Sequence, residues 1–183
     1  MSSASALINV AAYTAPRAFV RGSHRSSPDL YPPSAIQYAC LPFRERADGS
    51  IEVMLITSRG TRRWVIPQGW PMKGRKPHAS AAREALEEAG LVGEVGKVPI
   101  GSYGYGKRLK SREVVPCQGE VFPLKVKSQR KRWPEKGQRS LRWFDQAEAA
   151  EAVHEPELRD AIQRAKLLLS SVGAAHVSDG SRN

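Results

Sequence analysis

Glu84, Glu87 and Glu88 are spaced so that one helix would carry three carboxylates on one flank. At about 100° per residue they fall within a sector roughly 100° wide. Ala79, Ala82, Ala85, Leu86 and Ala89 take roughly the opposite side. Three clustered negative charges repel one another and require a counter-charge. Mg²⁺ or Mn²⁺ is the natural one, because hard divalent cations prefer carboxylate oxygen. Taken alone, such a cluster reads first as a solvated acidic face.

The surrounding residues change that reading. Residues 69–91 read Gly-Trp-Pro-Met-Lys-Gly-Arg-Lys-Pro-His-Ala-Ser-Ala-Ala-Arg-Glu-Ala-Leu-Glu-Glu-Ala-Gly-Leu. This stretch resembles the Nudix box: Gly, five residues, Glu, seven residues, then Arg-Glu-apolar-any-Glu-Glu-any-Gly-apolar. Gly69, Arg83, Glu84, Ala85, Glu87, Glu88, Gly90 and Leu91 fall in register, and Arg75 stands where the pattern has its first Glu. Upstream, Ile56-Thr57-Ser58-Arg59 and Arg63-Trp64-Val65-Ile66-Pro67-Gln68-Gly69 are similar to the approach to the box in diphosphoinositol polyphosphate phosphohydrolases. Downstream, Trp133-Pro134-Glu135, Arg139 and Arg142-Trp143-Phe144 are similar to the late segment of that group. The likeness runs from about Tyr38 to His154. Trp70-Pro71-Met72-Lys73-Gly74 departs from the group's glycine-rich, acidic continuation after Gly69. With Arg75 it forms a basic loop, suited either to gripping additional phosphate or to replacing a structural contact.

The resemblance implies metal-dependent hydrolysis of a phosphoanhydride. Glu84 and Glu88, one turn apart, are the first candidate ligands, with Glu87 completing the cluster and one of the three available as base. The main-chain carbonyl of Gly69 joins the implied metal shell, and the missing side chain permits close approach there. Arg83, at i, i+4 from Glu87, reads as orienting it. Arg59 and Arg139 carry over as phosphate binders, since guanidinium can hold phosphate oxygens in bidentate fashion. Ser58 is a candidate hydroxyl donor. Lys73, Lys107 and Arg108 are candidates by charge and by nearness to the box or the strands after it. Glu120 interrupts an apolar strand and reads as surface-facing before it reads as a further ligand. His78 reads as structural. Trp133 and Trp143 read as packing residues, with base stacking the alternative.

The 183-residue chain has a formal net charge of +11. Between Lys107 and Arg142 twelve Lys or Arg face three acids, Glu113, Glu120 and Glu135, so this segment holds +9 of that charge. Such a concentration attracts polyanions: nucleic acid, a membrane surface or a phosphate-rich small molecule. No run of about 20 apolar residues is present, so no membrane-spanning helix is expected. Cys40 and Cys117 read as buried thiols, which favours a reducing, cytoplasmic compartment.

Residues 1–33, rich in Ala, Ser and Pro with Arg17, Arg21 and Arg25, read as a flexible arm. Their acid-poor composition also resembles an organelle-targeting peptide. The catalytic domain is expected over 34–170 and a loose tail over 171–183. Strands are expected at Ala35–Arg44, Ile51–Ser58, Trp64–Ile66, Gly96–Lys107, Val114–Val126 and Ser140–Phe144, with Pro67-Gln68-Gly69 breaking the third. Pro77 suits the first turn of the box helix and Gly90 its C-terminal cap. A final helix spans about Glu155–Ser170, with Leu158, Ile162, Ala165 and Leu169 on one stripe. Mixed strands with two principal helices give the α/β/α sandwich that is also the Nudix fold.

The expected function is hydrolysis of diphosphoinositol polyphosphates, diadenosine polyphosphates or both. The alternatives are a pyrophosphohydrolase of nucleotides or RNA 5′ ends, and an inactive scaffold that binds nucleic acid. Retention of all three box carboxylates weighs against the last.

Overall fold

The computed structural model describes residues 35–108 and 113–177, with side chains in the last helix through Leu167. The expected arm and the end of the tail lie outside the described residues. The chain forms β1 (Ala35–Glu45), β2 (Ile51–Thr57), β3 (Trp64–Val65), β4 (Gln68–Gly69), α1 (Pro77–Ala89), β5 (Leu91–Val95), β6 (Gly101–Arg108), β7 (Val114–Gln129), β8 (Leu141–Asp145), α2 (Gln146–Ala152) and α3 (Pro156–Val177).

β1 is the centre of the sheet and is apolar on both faces, as a strand covered on both sides must be. It runs antiparallel to β2 and β4 and parallel to β7, which makes the sheet mixed. β8 and β3 extend the β2 side, while β5 and β6 pair with successive halves of the long β7. Alternation along the strands feeds two cores. Ala39, Leu41, Phe43, Val53, Leu55 and Val121 face Ala149, Val153, Leu158 and Ile162 of the α2–α3 layer. Tyr38, Cys40, Met54, Ile56, Phe122 and Leu124 face Ala81, Ala85 and Ala89 of α1. The α/β/α sandwich is therefore present as expected. Cys40 and Cys117 are free and buried.

Five elements differ from the sequence expectation. Pro67 ends β3 because it has no N–H to give a ladder, yet its carbonyl accepts a 2.8 Å bond from Cys40 N. The chain therefore stays against β1, and Gln68 and Gly69 pair with Ala39 and Tyr38. β5 hides in the sequence because Gly93 interrupts it. That glycine sits at a register shift and lies so close to β7 that a Cβ would be 2.0 Å from the Lys125 carbonyl oxygen. α2 is a third helix, seven residues of good helix formers. The last helix also continues to Val177 instead of stopping near Ser170. The strand expected from Gly96 begins at Gly101.

α1 starts with Pro77 in its first turn and ends on Gly90, whose φ of 71° is left-handed and whose N–H caps Leu86 O at 3.0 Å. The loop after β7 wraps this end. Arg130 N bonds Gly90 O at 2.8 Å, Glu135 N bonds Glu87 O at 3.0 Å, and Gln129 Nε2 bonds Ala89 O at 2.9 Å. Trp133 lies against Gly90, where a Cβ would be 2.6 Å from the indole. Packing at a helix end is the role of this tryptophan. Trp143 likewise packs at the α1 core, with the Arg44 guanidinium 4.4 Å above it.

Gly90→Ala combines a disfavoured φ with that overlap, and should cost about 2 kcal/mol and lower Tm by about 5 °C. Trp133→Ala should remove the overlap but not the φ strain, so the double variant should lose less than the sum of the singles. Thermal unfolding of the four proteins measures this, and strict additivity would mean that the indole does not press on Gly90.

Candidate active site

The packed stripe of α1 is Ala81, Ala85 and Ala89; Ala85 and Ala89 lie on the stripe read from the sequence, while Ala81 takes the place of Ala79, Ala82 and Leu86, which are only partly buried. Around the helix Glu88 lies about 20° from Ala81, Glu84 about 60° and Glu87 about 120°. The carboxylates therefore pass from buried to open: Glu88 is 6 % exposed, Glu84 is half-buried, and the Glu87 side chain is 32 % exposed. The acidic sector is not a uniformly solvated face.

A buried carboxylate needs partners. Glu88 Oε1 accepts from Arg139 Nη2, and Oε2 accepts from the Gln68 backbone N–H at 3.2 Å. Burial nonetheless pushes the Glu88 carboxyl up to about 7, with Arg139 and the Gln68 N–H offsetting it only in part and Glu84 adding repulsion. Glu84 is also raised, first by burial and then by repulsion from Glu87 and Glu135. It lies against Gly69 so closely that a Cβ there would be 2.1 Å from its Cδ and Oε1. A side chain at residue 69 would have to displace the Glu84 carboxylate, so main chain and carboxylate share one small space. Glu87 Oε1 accepts from Arg83 Nε at 2.5 Å, as the i, i+4 spacing suggested.

Arg139 has a different setting from the phosphate-binding one expected. Its side chain is 7 % exposed, and it donates to Glu88, to Glu135 Oε2 at 3.0 Å and to the Thr57 carbonyl at 3.1 Å. Its donors are turned inward, toward a carboxylate of the box. Arg59, with 62 % of its side chain exposed, reaches Glu135 Oε1 at 3.5 Å and stands at the rim of the same cluster. Lys107 is half-buried and also belongs here. Burial lowers its pKa, while Glu88 and Glu84 favour its proton and Arg59 opposes it. Its Nζ sits 4.8 Å from the Trp70 ring centroid.

Other candidates stand apart. Ser58 is engaged in its own turn, its hydroxyl 2.7 Å from that of Thr61. Lys73 is exposed in the loop before α1. Arg108 follows Lys107 in β6 and so points to the other side of the sheet. Glu120 alternates away from Tyr103 and Lys107, beside Ser102 and Gln118 in a shallow pocket on the sheet. Burial raises its carboxyl. His78 packs against Phe122.

Sequence reasoning missed Gln68 and Glu135 as working residues. Gln68 donates its N–H to Glu88 and accepts at Oε1 from the Tyr103 hydroxyl, and Glu135 joins Arg59 to Arg139. Both lay inside quoted motifs, in Pro-Gln-Gly and Trp-Pro-Glu. Their partners are distant in sequence and have no periodic signature.

The oxygens present suit a divalent cation. Glu84 has repelling carboxylates around it, a glycine backbone against it and, among the described residues, no ion pair of its own. Among the described residues no three His, Cys, Asp or Glu side chains are gathered so as to hold a metal ion as they stand. Arg139 and Arg83 hold Glu88 and Glu87 instead.

Residues 35–165 match the NUDIX domain family. The chain is 30 % identical over 141 residues to Nudix hydrolase 16, mitochondrial, of Arabidopsis thaliana, covering 70 % of this chain and 78 % of that protein. It is 32 % identical over 135 residues to diphosphoinositol polyphosphate phosphohydrolase 3-beta of Bos taurus, covering 70 % and 76 %. Among solved structures, a binary complex of C. elegans Ap4A hydrolase is similar in fold, with TM-score 0.55 at 17 % identity, covering 75 % of this chain and 98 % of that one. With the box carboxylates gathered at one end of α1 and the family match spanning the whole sandwich, the chain belongs to the Nudix hydrolases and is a pyrophosphohydrolase acting on phosphorus-containing anhydrides.

Proposed function

We propose that this enzyme cleaves the phosphoanhydride of a polyphosphorylated small molecule, a diphosphoinositol polyphosphate and/or a diadenosine polyphosphate, with Mg²⁺ or Mn²⁺. The observation that carries the reading is the pairing of a deficit with an excess. Glu84 and Glu88 lack sufficient counter-charge, and Lys107 and Arg59 stand at the rim of the same cluster, Lys107 over the Trp70 ring and Arg59 against Glu135. Nudix hydrolases generally use divalent metal ions. Glu84, Glu88 and Glu87, with the Gly69 carbonyl, are the residues that would hold one here. A bound divalent ion supplies charge relief on the phosphates and acidifies a water. Arg139 and the Gln68 N–H fix Glu88, and Arg83 fixes Glu87. Lys107 and Arg59 attract and align the phosphate chain. The bovine relative's name supports the inositol substrate, and the free buried cysteines fit a reducing compartment. Among the described residues no helix is long and apolar enough to cross a membrane.

Phosphate release with Mg²⁺ should be measured across diphosphoinositols, dinucleoside polyphosphates, nucleoside triphosphates and 5′-triphosphorylated RNA. Preference for RNA or simple nucleoside triphosphates would overturn the substrate reading. Glu88→Gln should lower kcat about a hundredfold or more. Near-normal turnover would remove Glu88 from the metal site.

Arg139→Ala separates positioning from substrate binding. A residue that holds a ligand should cost about 10–100-fold in metal affinity or kcat, whereas a phosphate binder should chiefly raise KM. We expect the first, together with a stability loss of about 3–5 kcal/mol from the broken buried pair. A selective rise in KM at unchanged metal requirement would restore the phosphate-binding role.

In chelator, the raised Glu88 carboxyl also sets a pH trend. The folded state keeps a proton that the unfolded chain releases near the ordinary carboxylate range. Glu88's contribution to stability is then full below that range and is lost as pH rises through about 7. Urea unfolding across this window should show a steeper decline for wild type than for Glu88→Gln. Parallel curves would mean that Glu88 is not raised.

A further inference from the structure

We propose that Trp70 determines specificity: its indole, covered by the Lys107 ammonium in the free enzyme, is the platform for the planar base of a nucleoside polyphosphate. The proposal rests on the phosphoanhydride reading above and narrows its substrate class.

Trp70 directly follows Gly69, whose backbone touches the Glu84 carboxylate. At 43 % it is the one exposed aromatic residue among those described. An indole is costly to leave in water when it has a core to enter, and here none covers it. Pro71 restricts the backbone of Trp70 to an extended conformation, so the ring is held out from the strand end at little entropic cost. The residue that covers it, Lys107, is the same cation that senses Glu84 and Glu88.

A cation over an exposed ring is held more weakly than one bonded to phosphate. An incoming phosphate chain therefore draws the ammonium from indole to phosphate and bares the ring. A nucleoside holds its base one ribose away from its first phosphate, so a base on Trp70 leaves the phosphate chain over the carboxylates. The negative π face repels the anionic oxygens that surround a polyphosphorylated inositol, whereas it attracts the π face of a base.

The test compares wild type, Trp70→Leu and Trp70→Phe of the full chain in Mg²⁺, with Trp70→Gln in place of Leu should that variant not fold. Calorimetric titration uses α,β-methylene-ADP and methylenediphosphonate, which share the phosphonate linkage and differ in the nucleoside. Wild type should favour the nucleoside analogue about tenfold or more. Trp70→Leu should lose that preference and Trp70→Phe keep most of it. In kinetics, Trp70→Leu should raise KM for diadenosine tetraphosphate about tenfold at near-constant kcat, and leave the KM for a diphosphoinositol unchanged. An equal preference in wild type and Trp70→Leu, or equal KM changes for both substrates, would overturn the assignment. Failure of wild type to release phosphate from either substrate would sink the proposed function instead, and the titration would still judge Trp70.

Discussion

Placing a carboxylate on the packed face of a helix costs several kcal/mol in lost hydration, and in α1 that carboxylate is Glu88. Everything around it answers that cost. Arg139 donates to Glu88 and is itself held by the Thr57 carbonyl at the end of β2 and by Glu135 in the loop after β7. The Gln68 N–H comes from β4, the short strand that Pro67 steers against β1. Three segments far apart in sequence thus converge on one side chain. Removing the carboxylate would leave Arg139 buried with part of its charge uncompensated.

The same helix is held at two points by close approach to glycine backbone. Near its middle, Glu84 occupies the space a side chain at residue 69 would need, and at its C-terminus Trp133 occupies the space a side chain at residue 90 would need. Close packing of this kind tolerates little drift. The carboxylates therefore keep their graded exposure, with Glu88 fixed, Glu84 against main chain and Glu87 tethered to Arg83 at the rim.

Much of this was legible before any coordinates. The box gave the helix, its Pro77 start and its Gly90 end, because those signals are local and chemically specific. The long apolar strands and the final helix were equally plain from their periods. The failures were of two kinds. β4 and β5 are two and five residues long, next to Pro67 and around Gly93, so local breakers masked pairings that only β1 and β7 reveal. The inward setting of Arg139 was not legible because a motif shows which residue is present and not which way its donors turn. Glu88 could be placed in an acidic sector from its spacing, but the roll of the helix that buries it is set by Ala81, Ala85 and Ala89 meeting the sheet.

The basic excess of the chain also reads differently in three dimensions. The Lys107–Arg142 segment looked like one anionic-ligand surface, yet Lys125 pairs with Glu45, Lys127 with Glu94 and Arg142 with Glu148, all acids from outside the segment. Arg139 is committed to the interior, and Lys136 lies over Trp133 and bonds the Lys131 carbonyl. Exposed pairs of this sort add little stability, but each one removes a charge from long-range attraction. Among the described residues not committed to an ion pair inside the site, Lys107 feels Glu84 and Glu88 directly, and Arg59 stands at the rim through Glu135. Selectivity built from two cations depends on where they point and on what lies beside them more than on net charge. That makes the neighbour of Lys107 the informative residue: an exposed indole next to the Gly69 backbone and the Glu84 carboxylate offers a shape and a π surface that no quantity of lysine supplies.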